Sequence, residues 1–326
     1  VTEDAFLTLY NSRENQPNRS AEYRFYFPTT QVSQLAGEND LLVIAKRRDG
    51  GLLVIIAENG SSAASQIEWL FGFSSETYPR FSVRAELENE QDRVGFAAAF
   101  ILESIGIVVE TSEQTYLDAM LSRFDGHFPK SAEFSSYARE TLADVDARSD
   151  PDGALMAWME REEILFRTLE RYLIGERLSQ GFSTEHVDDF VSFSLSIQNR
   201  RKKRVGLALE NHIEVVLRAL EIRFDRNAIT ENKAKPDFLF PGQQAYHDPS
   251  FDSSRLSMLA VKHSCKDRWR QVLAEAVRID EKHLLTLETA ISLGQTDEMR
   301  SKQLQLVVPR ALHVTYGEDQ RKWLFD

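Results

Sequence analysis

Short apolar runs separated by polar stretches dominate the first part of the chain. Two of them, residues 41–45 and 52–57, are rich in β-branched side chains and are separated by the polar residues 46–51. This pattern predicts a β-hairpin. Further apolar runs lie at 71–73, 96–102 and 105–109. We therefore expect a mainly β region with one or two helices.

The periodicity becomes helical from about Tyr116. Apolar residues such as Met120 and Phe124, and a further series between 154 and 173, recur at spacings of three and four. This change predicts a boundary near residue 114, with a mainly β domain over 1–113 and a second domain over 114–326. The polar residues 144–153 are expected to form a loop.

The second domain is predicted to be a mixed α/β sheet flanked by helices. Residues 206–224 place apolar side chains on one face and predict an amphipathic helix, and about 267–279 is predicted to be another helix. Short apolar runs alternate with these helices, as expected for an α/β (α+β) fold. The runs lie at 237–240, 256–262, 284–287 and 304–308.

Composition limits the class of protein. A chain of 326 residues with 42% hydrophobic content is long enough for two cores. The single cysteine, Cys265, cannot form an internal disulfide, and no apolar run reaches the roughly 18 residues that would indicate a membrane span. The acidic residues 1–4 do not resemble a secretory signal. These features predict a cytoplasmic protein without a membrane segment.

The net charge of −12 and the pI near 5.2 argue against a protein that coats nucleic acid through bulk electrostatics. A site-specific enzyme needs positive charge only along its cleft. One basic run, just before the predicted helix over 206–224, could supply it; the other interpretation is a solvated surface patch. The run comprises Arg200, Arg201, Lys202, Lys203 and Arg204.

Three residues form a candidate site for phosphodiester hydrolysis. Asp237 follows Lys235 and Pro236, Lys262 ends an apolar run, and Glu275 follows in a helical pattern. Mg²⁺ prefers carboxylate and carbonyl oxygens, so Asp237, Glu275 and the Val261 carbonyl are candidate ligands. Lys262 would neutralise the phosphate or orient the attacking water.

Glu210, on the predicted helix before the site, is expected to reach the same metal directly or through water. The alternative for the whole set is structural, because Lys-Pro-Asp is a common turn sequence and a lysine at a strand end usually faces solvent. The spacing alone is weak evidence.

The sequence around these residues resembles the catalytic domain of the EcoRII-type restriction endonucleases of the PD-(D/E)xK superfamily. The similar segments, in order, are 199–202, 204–206, 228–231, 235–241, 245–248, 259–262, 265–271, 283–287 and 306–309. The resemblance implies a restriction-endonuclease-like core in which the second acidic ligand has moved to the helix after the lysine. Asp237, Lys262 and Glu275 match those positions, and Ala260 stands where that acid would otherwise lie.

The resemblance also implies residues that read DNA. Related enzymes read CC and GG outer pairs with a charged triplet after the catalytic lysine, and Lys266, Asp267 and Arg268 match it. Lysine and arginine donate to guanine O6 and N7, and aspartate accepts from cytosine N4. The other interpretation is a charged first helical turn. Tyr246 also matches the family, as a residue that supports the active site or contacts DNA; the alternative is a packed aromatic.

The first domain resembles the family's effector-binding domain, a β pseudobarrel that binds a second DNA site. The similarity lies in residues 9–13 and in the predicted hairpin up to Trp69. The resemblance implies that the family segment with DNA-contacting loops would lie before Val1.

The resemblance implies a type II, Mg²⁺-dependent endonuclease of a restriction-modification system. It would act as a homodimer on double-stranded DNA at a near-palindromic site resembling CCWGG, where W is A or T. Two other functions stay open: a sequence-specific DNA-binding regulator that has lost cleavage, and a structure-specific repair nuclease.

Overall fold

A computed structural model gives the fold of most of the chain. It describes residues 2–14, 22–46, 50–70, 101, 116–179, 181–182, 187–265 and 268–326. The apolar runs predicted at 71–73 and 105–109 lie outside the described residues, as does the run at 96–102 apart from Ile101.

The N-terminal part contains two antiparallel strand pairs. Strands β1 (Thr8–Asn11) and β2 (Tyr23–Tyr26) form one pair. Strands β3 (Leu41–Lys46) and β4 (Leu52–Ala57) form the other, which confirms the predicted hairpin. Over the described ranges these pairs are two separate two-stranded sheets, so a closed pseudobarrel stays a prediction.

Of the two helices described between residues 22 and 70, the second contacts the C-terminal part of the molecule. Helix α1 spans Gln31–Leu35 and α2 spans Ser62–Leu70. The Gln66 amide in α2 donates to the Thr289 carbonyl at 2.9 Å. Trp69 packs against the large C-terminal core. Helix α2 lies before residue 114 in the sequence but packs against residues that follow it. The domain boundary near residue 114 therefore stays a prediction.

Four helices form the middle of the chain: α3 (Leu117–Phe124), α4 (Ser131–Glu140), α5 (Pro151–Ser179) and α6 (Val187–Ala219). Pro151 opens α5, where its missing N–H and fixed φ suit a first helical residue. The predicted loop over 144–153 therefore ends before residue 151. The helix predicted over 206–224 is the last part of the longer α6, which ends at Ala219.

A five-stranded mixed sheet forms the centre of the C-terminal part, in the order β5-β6-β7-β8-β9. The first three strands pair antiparallel and the last three pair parallel. This confirms the predicted mixed sheet. The strands are β5 (Asp225–Arg226), β6 (Phe238–Phe240), β7 (Ser257–Val261), β8 (Lys282–Leu285) and β9 (Leu304–Val307).

Four more helices lie between or after these strands: α7 (Gln243–His247), α8 (Trp269–Val272), α9 (Leu293–Ser301) and α10 (Glu318–Arg321). The helix predicted over 267–279 is wrong in its length. Among the described residues of this segment, 268–279, only Trp269–Val272 is α-helical, and the chain then forms turns up to β8.

The sheet is buried between helices. Met258 and Ala260 of β7 and Leu284 of β8 are fully buried, as expected for the interior strands of a sheet that is covered on both faces. Leu209 and Ile213 of α6 join the same cluster. None of the described helices is both long and apolar enough to cross a membrane.

Candidate active site

Asp237 and Lys262 meet at one edge of the central sheet. Lys262 Nζ lies 2.8 Å from Asp237 Oδ2, and the Val261 backbone N–H donates to the same oxygen at 2.7 Å. One carboxylate oxygen thus accepts from the backbone of the last β7 residue and from the next side chain. The structure therefore brings together the acid and the lysine predicted from the sequence.

The strand register explains this meeting. Phe238 of β6 pairs with Leu259 of β7 in an antiparallel arrangement. Asp237, just before β6, therefore lies beside the end of β7. The N–H and C=O of one strand residue face the same side in an antiparallel ladder, so the Val261 carbonyl also faces β6.

Glu275 lies in the turn after α8. Its neighbour Ala276 is fully buried and has a left-handed backbone with φ of 46°. Burial raises the pKa of the Glu275 carboxyl to about 7, with Asp237 adding to the effect, whereas Lys262 and Lys282 oppose it. The charges of Asp237 and Lys262 therefore act on Glu275. Glu275 lies in a turn and not on the predicted helix.

An oxygen of Glu275 is a further feature of the site. Oε2 is buried and has no hydrogen-bond partner among the described residues. An unpaired buried carboxylate oxygen is costly, and a cation is one way to satisfy it. The described residues contain no group of three or more His, Cys, Asp or Glu side chains that could hold a metal, so a carbonyl oxygen or water would have to complete such a site.

Tyr246, in α7, supports this turn. Its buried hydroxyl donates to Glu231 Oε2 at 2.5 Å and accepts from the Arg278 backbone N–H at 3.2 Å. Burial, followed by the Glu231 hydrogen bond, raises the pKa of Tyr246 to about 12. Tyr246 is therefore a neutral, hydrogen-bonded phenol, and the described contacts of its hydroxyl are to the protein.

The structure pairs Glu210 with another side chain. Its Oε2 lies 2.8 Å from Arg226 Nη2, and Arg226 also contacts Glu214 at 2.8 Å. Arg226 pairs with Phe238 in the sheet. Glu210 is thus close to the site in the fold, but its carboxylate neutralises Arg226. The expectation that Glu210 reaches the metal, directly or through water, stays a prediction.

The basic run lies within α6 and not before a helix. Its side chains differ in exposure and in their partners. Arg200 is exposed and stacks over Phe128 at 4.3 Å, whereas Arg201 Nη2 pairs with Glu170 at 2.7 Å. Lys202 is exposed. Of these, Arg200 and Lys202 are the most accessible to a phosphate.

Arg204 differs from the exposed members of the run. It is buried, with its guanidinium paired to Glu163, 3.8 Å from Glu162 and 4.1 Å from the centre of the Phe166 ring. These contacts join α5 to α6. Arg204 therefore contributes to helix packing, and its contact with DNA stays a prediction.

The predicted reading triplet follows Lys262. Lys266 and Asp267 lie outside the described residues. Arg268 is exposed, and its backbone N–H donates to the Cys265 carbonyl at 2.7 Å. The buried Cys265 in turn donates its N–H to the Glu288 carboxylate at 2.5 Å. Arg268 thus projects from a segment fixed to the core.

Sequence reasoning missed three residues of this region: Glu231, Lys282 and Glu288. Glu231 falls in a segment that resembles the family, whereas Lys282 and Glu288 flank a predicted strand as ordinary charged residues. A partial signal for Glu288 was its place directly after the apolar run 284–287. Glu231 and Glu288 accept from backbone N–H groups distant in sequence, and the Lys282 backbone N–H donates to the Gln303 carbonyl. Pattern analysis does not detect such partners.

Part of the chain is similar to known proteins. The EcoRII C-terminal family matches residues 166–326. This part of the chain belongs to the EcoRII C-terminal family. The matched segment contains Asp237, Lys262 and Glu275, and it excludes α2 and both N-terminal strand pairs.

The chain is also similar in sequence to the type II restriction enzyme EcoRII of Escherichia coli. It is 43% identical over 195 residues, which are 60% of this chain and 47% of that protein. The chain therefore spans about half the length of this EcoRII relative. At 43% identity, the similarity is one of sequence as well as of fold.

Two solved structures share the fold of a large part of this chain. Metal-depleted Ecl18kI in complex with uncleaved DNA has a TM-score of 0.51, covers 65% of this chain and 79% of that one, and is 16% identical. The restriction endonuclease PspGI–substrate DNA complex has a TM-score of 0.50, with 61% and 88% coverage and 17% identity. They confirm the restriction-endonuclease-like fold.

Proposed function

We propose that the chain is a type II site-specific deoxyribonuclease that hydrolyses phosphodiester bonds in duplex DNA. The observation that carries the proposal is the contact between Lys262 and Asp237 beside a buried, unpaired oxygen of Glu275. A lysine ammonium and two carboxylates around one point are suited to a phosphate and a cation. Family membership and the relative's activity support the same reaction.

The residues present fit Mg²⁺. Asp237, Glu275 and the Val261 carbonyl offer hard oxygen donors, which this ion prefers. The unpaired Oε2 of Glu275 is the atom that most needs such a partner. When bound, the ion supplies positive charge at the scissile phosphate and activates water. One of the similar structures is described as metal-depleted, which is consistent with a metal in this fold.

The side chains of the site have distinct roles in this proposal. Asp237 holds Lys262 and fixes the end of β7 through the Val261 N–H. Lys262 is only partly exposed, and its ammonium is placed to neutralise a non-bridging phosphate oxygen or orient the attacking water. Glu275 provides the second carboxylate.

DNA reading is assigned to the segment after Lys262. Arg268, with Lys266 and Asp267, would recognise the outer pairs of a site resembling CCWGG through the major groove. Exposed Arg200 and Lys202 would contact phosphates. Both similar structures are described as DNA complexes, which supports duplex DNA as the partner.

A two-fold symmetric site calls for a two-fold symmetric enzyme, so we propose a homodimer in which each subunit cuts one strand. The same proposal places the enzyme in the cytoplasm as part of a restriction-modification system. Tyr246 is proposed to support the active site without touching DNA.

A short duplex with one CCWGG site, incubated with and without Mg²⁺, tests the proposal. Cleavage of both strands only with Mg²⁺ and only in the duplex that contains the site is the expected result. Specific retention without cleavage would instead support a DNA-binding regulator. Preferential cleavage of junctions or mismatches would support a repair nuclease.

A further inference from the structure

The turn that carries Glu275 is held by side chains from three other parts of the fold. Glu231 Oε2 accepts from the Val277 backbone N–H at 3.2 Å. The Tyr246 hydroxyl accepts from the Arg278 N–H at 3.2 Å, and Lys282 Nζ donates to the Ile279 carbonyl at 2.6 Å. Three consecutive residues after Ala276 are thus bound through their backbone.

Glu231 and Tyr246 act as a pair, because the Tyr246 hydroxyl donates to the carboxylate oxygen that also accepts from Val277. The guanidinium of Arg278 adds bonds to the backbone carbonyls of Tyr246, Asp248 and Phe251. The segment after Glu275 is therefore tied to α7 and to the loop that follows it.

This anchoring has a consequence for Glu275 itself. Its own carboxylate oxygen Oε2 has no partner among the described residues, so nothing on that atom fixes its direction. The left-handed Ala276, with φ of 46°, is sterically disfavoured for a residue with a Cβ. A conformation of that kind persists where the surrounding bonds hold it, and the bonds to the two residues directly after Ala276 come from Glu231 and Tyr246.

We propose that Glu231, through Tyr246 and the Val277 amide, is a positioning residue that directs the Glu275 carboxylate toward Asp237. This inference rests on the proposed function, because it assumes that Glu275 and Asp237 share a divalent cation. Groups that orient ligands in this way typically change metal affinity about 10-fold to 100-fold when removed.

The chain offers a matched control pair. Tyr172 and Glu176 on α5 also form a tyrosine-to-glutamate hydrogen bond, at 3.5 Å and on the surface. Glu231→Ala and Tyr246→Phe remove the positioning contacts, and Glu176→Ala and Tyr172→Phe remove the surface contact. Glu231→Gln keeps an oxygen that accepts from both the hydroxyl and the amide.

The test is calorimetric titration of the full chain with Mn²⁺, together with DNA binding measured without metal. Glu231→Ala and Tyr246→Phe should each weaken Mn²⁺ binding by about tenfold or more, with Glu231→Gln close to wild type. Both control variants should bind Mn²⁺ normally, and metal-free DNA binding should stay within about twofold in all variants. Circular dichroism confirms folding, and Tyr246→Phe suffices if Glu231→Ala does not fold.

Asp237→Asn separates the two levels of the argument. If it loses Mn²⁺ binding while Glu231→Ala and Tyr246→Phe retain wild-type affinity, the positioning role is overturned and the proposed metal site stands. If Asp237→Asn also binds normally, the metal site is misplaced, and the positioning role is overturned with it. Equal weakening by Glu231→Ala and Glu231→Gln would also contradict the inference, since the accepting oxygen would then not matter.

Discussion

Lys262 Nζ lies 2.8 Å from Asp237 Oδ2, although 25 positions separate the two residues in the sequence. Adjacent antiparallel strands bring them together, because Asp237 precedes β6 and Lys262 follows β7. The contact is therefore a property of the sheet and not of a flexible surface. In the proposed function, this ion pair supplies the ammonium for a phosphate and the carboxylate for a cation.

Replacing Asp237 with asparagine should stop cleavage without preventing DNA binding. The substitution keeps the size of the side chain and removes a charged metal ligand, so we expect cleavage to fall about 100-fold or more. Binding to the same duplex in EDTA should be retained, since a negative charge near the phosphates is removed. The comparison is Asp319→Asn, an exposed position on α10; wild-type cleavage by Asp237→Asn would mean that the metal site lies elsewhere.

Replacing Arg268 with alanine should relax site recognition. A lost bidentate contact to guanine corresponds to about 1 to 3 kcal/mol of discrimination. Cleavage rates on cognate duplexes and on duplexes changed at one outer pair measure that discrimination. Arg270 is the matched control, because it is also exposed but pairs with Glu298 at 2.8 Å. An unchanged preference in Arg268→Ala would show that another residue reads the outer pairs.

Divalent metal binding should compete with a proton at Glu275. In the metal-free protein, burial raises the pKa of this carboxyl to about 7, so below that pH it is mainly protonated and must lose a proton to bind a cation. Metal affinity should therefore rise as pH increases through about 7 and then level off. Calorimetry of Mn²⁺ binding at several pH values measures it, and proton release below pH 7 should disappear in Glu275→Gln. Affinity that does not change between pH 6 and 8 would contradict the assignment.

Replacing Arg204 with alanine should reduce the stability of the fold. This loss should be larger than any change in DNA binding. Arg204 is buried beside Glu162 and Glu163, and removing one partner of a buried charged cluster typically costs about 3 to 5 kcal/mol. Urea unfolding measures the loss. Lys202→Ala, at an exposed position of the same helix, should change stability by less than about 0.5 kcal/mol. Equal stability of the two variants would show that Arg204 is not part of the packing.

The strands were predictable because their patterns are local. The runs at 41–45 and 52–57 alternate with polar turns, and the later apolar runs fall within one or two residues of β6, β7, β8 and β9. Asp237 and Lys262 were found as candidates for the same reason, since each lies at the end of one of these runs. Glu275 was a candidate because it follows Lys262 in a helical pattern, and the resemblance implies the same position for the second acid; its role as a ligand stays a prediction.

The failures have tertiary causes. The helix predicted over 267–279 stops at Val272, because Glu231 and Tyr246 bind the backbone N–H groups of Val277 and Arg278 that a longer helix would use internally. No window around residue 275 contains those partners. The sequence pattern therefore could not show where the helix ends.

The ion-pair partners of two charged residues were not predictable for a similar reason. Arg204 belongs to a basic run, and its acidic partners lie on α5 about 40 positions earlier. Glu210 on α6 pairs with Arg226, which lies on the later strand β5. A run of like charges predicts an exposed surface only when no opposite charges pack against it. The packing of helices and strands decides this, and the local sequence does not show it.

The most direct test of the central claim is digestion of a phage genome by the purified chain, with sequencing of the fragment ends. The account predicts discrete fragments that form only with Mg²⁺, whose ends share one short site resembling CCWGG, and no fragments from Asp237→Asn. Ends without a common sequence, or cleavage that persists in Asp237→Asn or in EDTA, would contradict it.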